Sequence, residues 1–179
     1  MIIHKETKLE HPLAKFLFCP LCGAKSFAPI SNKSNKCSSC NFVYFSNCAS
    51  SVAVFIENEK NELLICRRAK EPYKDTFDLP GGFVDMYETA EDAVKREIKE
   101  ELNISITTIN YLFSLPNTYP YQGIDIHTLD LFFKCTVTSF SGLKPADDVS
   151  EVFFLAKNKI TIPSFGLPSI QKGIEKYLH

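Results

Sequence analysis

Residues 82–104 read Gly82-Phe-Val-Asp-Met-Tyr-Glu88-Thr-Ala-Glu-Asp-Ala-Val-Lys-Arg96-Glu-Ile-Lys-Glu-Glu-Leu-Asn-Ile104, a loop followed by a segment with helical periodicity. Thr89 and Asp92 stand three residues apart at its start. This spacing is typical of a capping box, with Asp in place of the usual Glu or Gln. It predicts a helix from about residue 90 to residue 102.

The predicted helix carries its acidic residues on the apolar side. Glu97 and Glu101 fall within the stripe defined by Ala93 and Val94, and Glu100 lies at its edge. Carboxylates about 5–6 Å apart repel by roughly 3 kcal/mol per pair at an effective dielectric constant near 20. A divalent cation among them removes this repulsion, and oxygen ligands suit Mg²⁺ or Mn²⁺. The alternative is a solvated acidic helix end.

Four of the seven cysteines form two Cys-x2-Cys pairs, Cys19 with Cys22 and Cys37 with Cys40. This pattern predicts a tetrahedral structural Zn²⁺ site with four thiolate ligands. Two disulfides in a secreted chain are the alternative, but no apolar leader follows Met1, so secretion is not expected. The remaining cysteines are expected to be ordinary buried residues; they are Cys48, Cys66 and Cys135.

The overall composition argues against membranes and against general nucleic-acid binding. The formal net charge is −1, which gives no global attraction to polyanions or to acidic membranes. The longest apolar run, Val52–Ile56, is far below the roughly 18 residues that a bilayer span requires. We therefore expect a soluble, cytoplasmic protein.

The chain is expected to contain two parts. Residues 1–47 form an N-terminal arm and a small zinc ribbon, which is too short to bury a core and should fold on its metal. Residues 48–179 alternate β-rich runs with two helical segments, the second beginning with Ser169 as N-cap. This order predicts an α/β (α+β) domain in which a mixed sheet has a helix on each side.

Residues 77–104 resemble the Nudix box and its aromatic-x-Leu-Pro-Gly-Gly approach, here Phe77-Asp-Leu-Pro-Gly-Gly82. The resemblance implies a Nudix α/β/α sandwich. It also implies divalent cations bound by three box glutamates and one carbonyl, namely Glu97, Glu100, Glu101 and Gly82. Arg96 would orient these carboxylates, and Glu88 would support the site. Asn103 replaces the usual glycine after the box, and Asn is the next best residue for a left-handed helix end.

A zinc ribbon before a Nudix domain is similar to the NADH pyrophosphatase branch of the family. That branch carries Ser-Gln-Pro-Trp-Pro-Phe-Pro after the box, and Ser114-Leu-Pro-Asn-Thr-Tyr-Pro120 stands in its place here. Tyr119 and Tyr121 are candidates for stacking on a base, or else belong to a rigid surface loop. Arg67 and Arg68 are candidate phosphate contacts, with a solvated strand end as the alternative.

The resemblance implies a metal-dependent pyrophosphohydrolase for NADH, FAD or ADP-ribose, in which water attacks phosphorus. The general base is expected to be a box glutamate or an acid of a later loop, namely Asp147, Asp148 or Glu151. One alternative is an NTP pyrophosphohydrolase that removes modified nucleotides. Another is a zinc-ribbon protein that binds RNA or a partner and senses a ligand. NAD-capped RNA and a homodimer, which is common in the family, also stay open.

Overall fold

The computed structural model describes residues 11–179, so most of the predicted N-terminal arm lies outside the described residues. These residues form two compact units. The first comprises residues 11–48 and 120–126, and the second comprises Ala49–Tyr119 and His127–His179. The boundary predicted after residue 47 did not anticipate that residues 120–126 would group with the first unit.

The first unit contains a small three-stranded sheet. Its strands are β1 (Phe27–Ser31), β2 (Ser34–Cys37) and β3 (Val43–Phe45), and both neighbouring pairs are antiparallel. Phe27 is buried together with two of the cysteines. This core is very small, as expected for a module that folds around a metal.

The second unit contains most of two further sheets and two helices. Its strands are β4 (Ala49–Ile56), β5 (Glu62–Arg68), β6 (Phe77–Asp78), β7 (Ile106–Tyr121), β8 (Ile124–Val137) and β9 (Val149–Ala156), with the β7–β8 turn in the first unit. The helices are α1 (Ala90–Leu102) and α2 (Pro168–Leu178). One sheet has the order β4-β8-β7 with β4 and β8 parallel, and the other has the antiparallel order β6-β5-β9.

Strand β4 shows how the layers are built. Val52 and Val54 pack in the cluster that contains the apolar residues of α1, whereas Ala53 and Phe55 pack in the cluster that contains those of α2. Alternate side chains of a strand point to opposite faces, so a strand covered on both faces is apolar throughout. This arrangement confirms the predicted mixed α+β fold with a helix on each side.

The ends of α1 agree with the capping prediction. The Thr89 hydroxyl accepts a hydrogen bond from the Asp92 backbone N–H at 3.1 Å, and the helix begins at Ala90. At the other end Asn103 has a φ of 55°, the left-handed conformation expected where glycine is usual. The helix is therefore fixed at both ends by local sequence.

The N-cap predicted for α2 was wrong. Leu167 is the N-cap of α2 and Pro168 its first residue, while Ser169 lies inside the helix and donates its hydroxyl proton to Asp130. The segment Ser114–Pro120 is part of strand β7 and not a loop. β7 lies at the edge of its sheet, where a proline without an N–H is tolerated.

Gly173 in α2 provides a test of how tightly this helix packs. A Cβ atom there would lie 2.3 Å from Cε1 of Phe132, a fully buried ring that stacks with Phe55 and with Phe113. Gly173→Ala should therefore lower the free energy of unfolding by about 1–3 kcal/mol in urea titrations. Helix propensity alone would raise it by about 1 kcal/mol. Lys172→Ala, on the exposed side of α2, is the control, and a more stable Gly173→Ala protein would contradict this packing.

Candidate active site and zinc site

The four predicted zinc ligands come together in the first unit. The Sγ atoms of Cys19, Cys22, Cys37 and Cys40 all lie within 4.8 Å of one another. Two of the Sγ pairs are 3.7 Å apart, close to the edge of about 3.8 Å of a tetrahedron with Zn–S bonds near 2.3 Å. A disulfide would need sulfurs about 2.05 Å apart. The geometry therefore fits four thiolates around one Zn²⁺.

The second unit contains a cavity of about 280 Å³ that gathers most of the predicted active-site residues. From α1 its lining includes Arg96, Glu97, Glu100 and Glu101. From the strands and loops it includes Arg67, Arg68, Gly82, Tyr119, Asp147 and Asp148. Glu88 and Glu151 do not line the cavity, and Tyr121 belongs to the first unit with its side chain exposed.

A glycine turn lies directly against the carboxylates of α1. The Gly81 backbone N–H donates to Oε2 of Glu101 at 2.9 Å. A Cβ at Gly81 would lie 2.0 Å from the carbonyl oxygen of Val52, and a Cβ at Gly82 would lie 2.4 Å from Oε1 of Glu97. A larger residue is excluded at Gly81 by the backbone of strand β4, and a larger residue at Gly82 would displace the Glu97 carboxylate.

The two carboxylates on the apolar side of α1 are buried, as the helical periodicity predicts. Glu101 is 5% exposed and Glu97 is 9% exposed, whereas the Glu100 side chain is half exposed. Burial raises the pKa of Glu101 well above its ordinary value, and the nearby charges of Glu97 and Asp78 raise it further. Burial likewise raises the pKa of Glu97. Negative charge is therefore unfavourable here unless a cation compensates it.

Arg96 is the main protein cation beside these acids. Its guanidinium donates to Oε1 and Oε2 of Glu88 at 2.9 and 2.8 Å, to Glu97 at 2.8 Å and to Glu100 at 3.2 Å. The hydrogen bonds from Arg96 lower the pKa of Glu88. One guanidinium thus holds three carboxylates in place but does not contact Glu101.

Most of the cavity groups able to bind a cation are oxygens, with the Cys66 thiol as the exception. The Gly82 carbonyl accepts the N–H of Val52 at 2.8 Å, which leaves its second lone pair for another partner. Among residues 11–179, the four cysteines are the only group of three or more His, Cys, Asp or Glu residues whose ligand atoms all lie within 4.8 Å of one another. The carboxylate oxygens of the box glutamates are therefore more widely spread than the four sulfurs. Carboxylate and carbonyl oxygens fit a hard cation such as Mg²⁺ or Mn²⁺ better than Zn²⁺.

The loop before β9 brings two further acids to the cavity. The backbone N–H of Ala146 donates to the Glu101 carbonyl at 2.9 Å, which fixes this loop to the end of α1. Lys70 forms ion pairs with both Asp147 and Asp148, and these hydrogen bonds raise its pKa. Of the predicted base candidates in this loop, Asp147 and Asp148 therefore lie in the cavity wall.

The two predicted arginines are the last two residues of strand β5. Arg68 donates to the buried carboxylate of Asp78 at 2.6 Å, and its Nη2 atom donates to the Tyr119 hydroxyl at 3.4 Å. The Arg67 Nε donates to Glu151 at 2.7 Å. Both arginines line the cavity, but each already has a carboxylate partner. These carboxylates therefore partly offset the positive charge that the two arginines present to a ligand.

A buried polar cluster in the same cavity was missed by the sequence reasoning. Both carboxylate oxygens of Asp130 accept hydroxyl hydrogen bonds, and the donors, each at 2.5 Å, are Ser51, Thr128 and Ser169. The signal was present, because an aspartate in the middle of an apolar central strand must have buried partners. The sequence alone could not identify those partners, which lie as far as 79 residues away.

Residues 49–172 match the NUDIX domain family. The chain belongs to the Nudix family. This confirms the family prediction made from the box residues, and with it the prediction of a Nudix hydrolase. The chain is 35% identical over 124 residues to the ADP-ribose pyrophosphatase of Methanocaldococcus jannaschii, covering 68% of this chain and 70% of that protein.

Two further comparisons place this Nudix chain among its relatives. It is 27% identical over 120 residues to the NAD-capped RNA hydrolase NudC of Vibrio parahaemolyticus, covering 67% of this chain but only 45% of that protein. A NUDIX hydrolase crystal structure from Nitrosomonas europaea superposes with a TM-score of 0.68 at 23% identity, covering 90% and 89% of the two chains. This last likeness supports the fold alone.

The described part of the Nudix chain contains no helix that is both long and apolar enough to cross a bilayer.

The prediction that Cys48 is buried was wrong, because its side chain is exposed; Cys66 and Cys135 are buried as expected.

The exposed Cys48 gives a matched control for the zinc site. We expect the purified protein to contain about one zinc per chain by inductively coupled plasma mass spectrometry. Cys37→Ser, which removes a fully buried thiolate of the cluster, should lose most of this zinc, whereas Cys48→Ser should keep it. Equal zinc content in the two variants would show that the cluster is not the binding site.

Proposed function

We propose that this Nudix protein hydrolyses the diphosphate of ADP-ribose or of a related nucleoside-diphosphate compound such as NADH or FAD. The observation that carries the proposal is the pair of buried carboxylates, Glu97 and Glu101, beneath the glycine turn of an open cavity. The names of the two relatives support the substrate class. The reaction is proposed to need Mg²⁺ or Mn²⁺.

The proposed roles of the cavity residues follow from their charge and burial. Glu97, Glu100 and Glu101, with the Gly82 carbonyl, would hold the divalent cation. When bound, the cation would offset the charge of the diphosphate and activate water. Arg96 keeps two of these carboxylates oriented through its hydrogen bonds. Arg67 and Arg68 line the cavity, and their guanidinium groups would attract the phosphates.

The base that removes the proton from water is proposed to be one of the cavity acids. Glu100 is half exposed and is held only by Arg96 at 3.2 Å, and Asp147 and Asp148 line the cavity beside Lys70. Glu151 fits this role least, because it does not line the cavity and its carboxylate is paired with Arg67. Tyr119 is proposed to contact the base of the nucleotide.

The other predicted functions can be separated from this one by their products. An NTP pyrophosphohydrolase would release pyrophosphate from nucleoside triphosphates faster than it releases AMP from ADP-ribose. A zinc-ribbon protein that only binds RNA would show salt-dependent binding without hydrolysis. NAD-capped RNA would be a much larger substrate of the same chemical class.

The homodimer and the cytoplasmic location stay predictions.

Glu101→Gln tests the cation-binding role of the buried carboxylate. The variant should lower kcat on ADP-ribose with Mg²⁺ by about two to three orders of magnitude, because several kcal/mol of transition-state stabilisation are lost. The control is Glu91→Gln, in the exposed first turn of α1. Without divalent cations the Glu101→Gln protein should melt at the same or a higher temperature, since a buried charge has been removed. Unchanged turnover would refute the role of Glu101.

A substrate panel in ¹⁸O-labelled water tests the reaction itself. The protein and Mg²⁺ are incubated separately with ADP-ribose, NADH, FAD and a nucleoside triphosphate. The masses of the products are then measured by mass spectrometry. We expect AMP from the first three, with one ¹⁸O atom on a single product phosphate. If no compound yields AMP, or if only the triphosphate is cleaved, the proposed substrate class is wrong.

A further inference from the structure

Asn117 stands out among the cavity residues because its amide oxygen has no partner. Its Oδ1 atom is buried from water and accepts no hydrogen bond from the described residues. A buried polar atom is normally paired, and leaving it unpaired is costly. Asn117 lines the same cavity as the acids of α1. A rotation of the amide that brings this oxygen to the cavity surface would allow it to pair with a ligand.

The strand that carries Asn117 sets the direction of its side chain. Phe113, Leu115 and Tyr119 of β7 all pack in the cluster on the α2 side of the sheet. Alternate residues of a strand share a face, so Asn117 lies on this face between Leu115 and Tyr119. It interrupts an otherwise apolar row at the point where the row reaches the cavity. The position suits a residue that contacts a ligand more than one that fills the core.

The surroundings of Asn117 match a flat, mostly apolar ligand. Leu167 and Ile170 line the cavity together with Tyr119, whose ring meets Phe83 edge to face at 5.6 Å. Apolar and aromatic side chains pack well against the two faces of a heterocycle. A single polar side chain can then form hydrogen bonds with the edge of the ring. The terminal torsion of an asparagine is broad, so its amide can rotate to present either the oxygen or the NH₂ group.

We propose that Asn117 determines base specificity by pairing with the edge of an adenine. The amide oxygen would accept the 6-amino N–H, and the amide NH₂ would donate to the neighbouring ring nitrogen, a geometry that asparagine adopts with adenine. The inference rests on the proposed function only in taking the substrate to be a nucleotide. The carboxamide of nicotinamide offers a similar donor and acceptor, so the experiment includes both.

The test measures binding of neutral ligands without divalent cations, so that it does not depend on hydrolysis. Adenosine, purine riboside and nicotinamide are titrated to millimolar concentration by ligand-observed NMR. Purine riboside differs from adenosine only in lacking the 6-amino group. The native protein should bind adenosine roughly tenfold more tightly than purine riboside, the discrimination expected of a bidentate amide–adenine pair. Nicotinamide should bind more weakly than adenosine.

The variants separate specificity from folding. Asn117→Leu and the smaller, polar Asn117→Ser should each reduce the ratio of the two affinities to about one. Thr118→Val, one residue along the same strand and on its other face, should keep the native ratio. Thermal unfolding checks that each variant is folded.

Several results would overturn the proposal. They are no measurable binding of adenosine, no preference for it over purine riboside, a preference that survives in both Asn117 variants, or tighter binding of nicotinamide. ADP-ribose turnover is measured in parallel. If adenosine discrimination holds while ADP-ribose is not cleaved, the proposed reaction fails and the role of Asn117 stands. If ADP-ribose is cleaved but adenosine is not preferred over purine riboside, the proposed reaction stands and the role of Asn117 fails.

Discussion

Two carboxylates buried under a glycine turn are the constraint on which the catalytic region depends. Glu97 and Glu101 lie on the core side of α1, and a Cβ atom at Gly82 would clash with Glu97, while one at Gly81 would clash with the backbone of Val52. Burial raises the pKa of both acids, and Arg96 contacts only Glu97 of the two. The arrangement is unfavourable as a purely structural element, but it suits a divalent cation that supplies the missing positive charge.

The rest of the second unit positions this pair. Helix α1 is fixed by its cap at Thr89 and its left-handed end at Asn103. Strand β4 holds the glycine turn through backbone hydrogen bonds, including the one from Val52 to the Gly82 carbonyl. On the opposite face, Asp130 ties strands β4 and β8 to α2 through buried hydroxyl groups. The acids and the polar cluster therefore reach one cavity from both sides of the sheet.

The features that the sequence predicts well are those set by short-range rules. The cap, the left-handed Asn103, the burial of two box glutamates and the closeness of the cysteines all follow from spacing within one segment. Two of the differences from the prediction involve long-range structure. Ser169 does not cap α2 because its hydroxyl bonds Asp130, 39 residues away. Prolines 116 and 120 lie in a strand because β7 is at a sheet edge, which only the topology reveals.

The most direct test of the account is the location of a divalent cation. Crystals grown with Mn²⁺ and a non-hydrolysable analogue of ADP-ribose, with data collected near the manganese absorption edge, should show anomalous peaks within bonding distance of the oxygens of Glu97, Glu100 and Glu101. A well-ordered analogue in the cavity with no peak beside these three carboxylates would contradict the central claim.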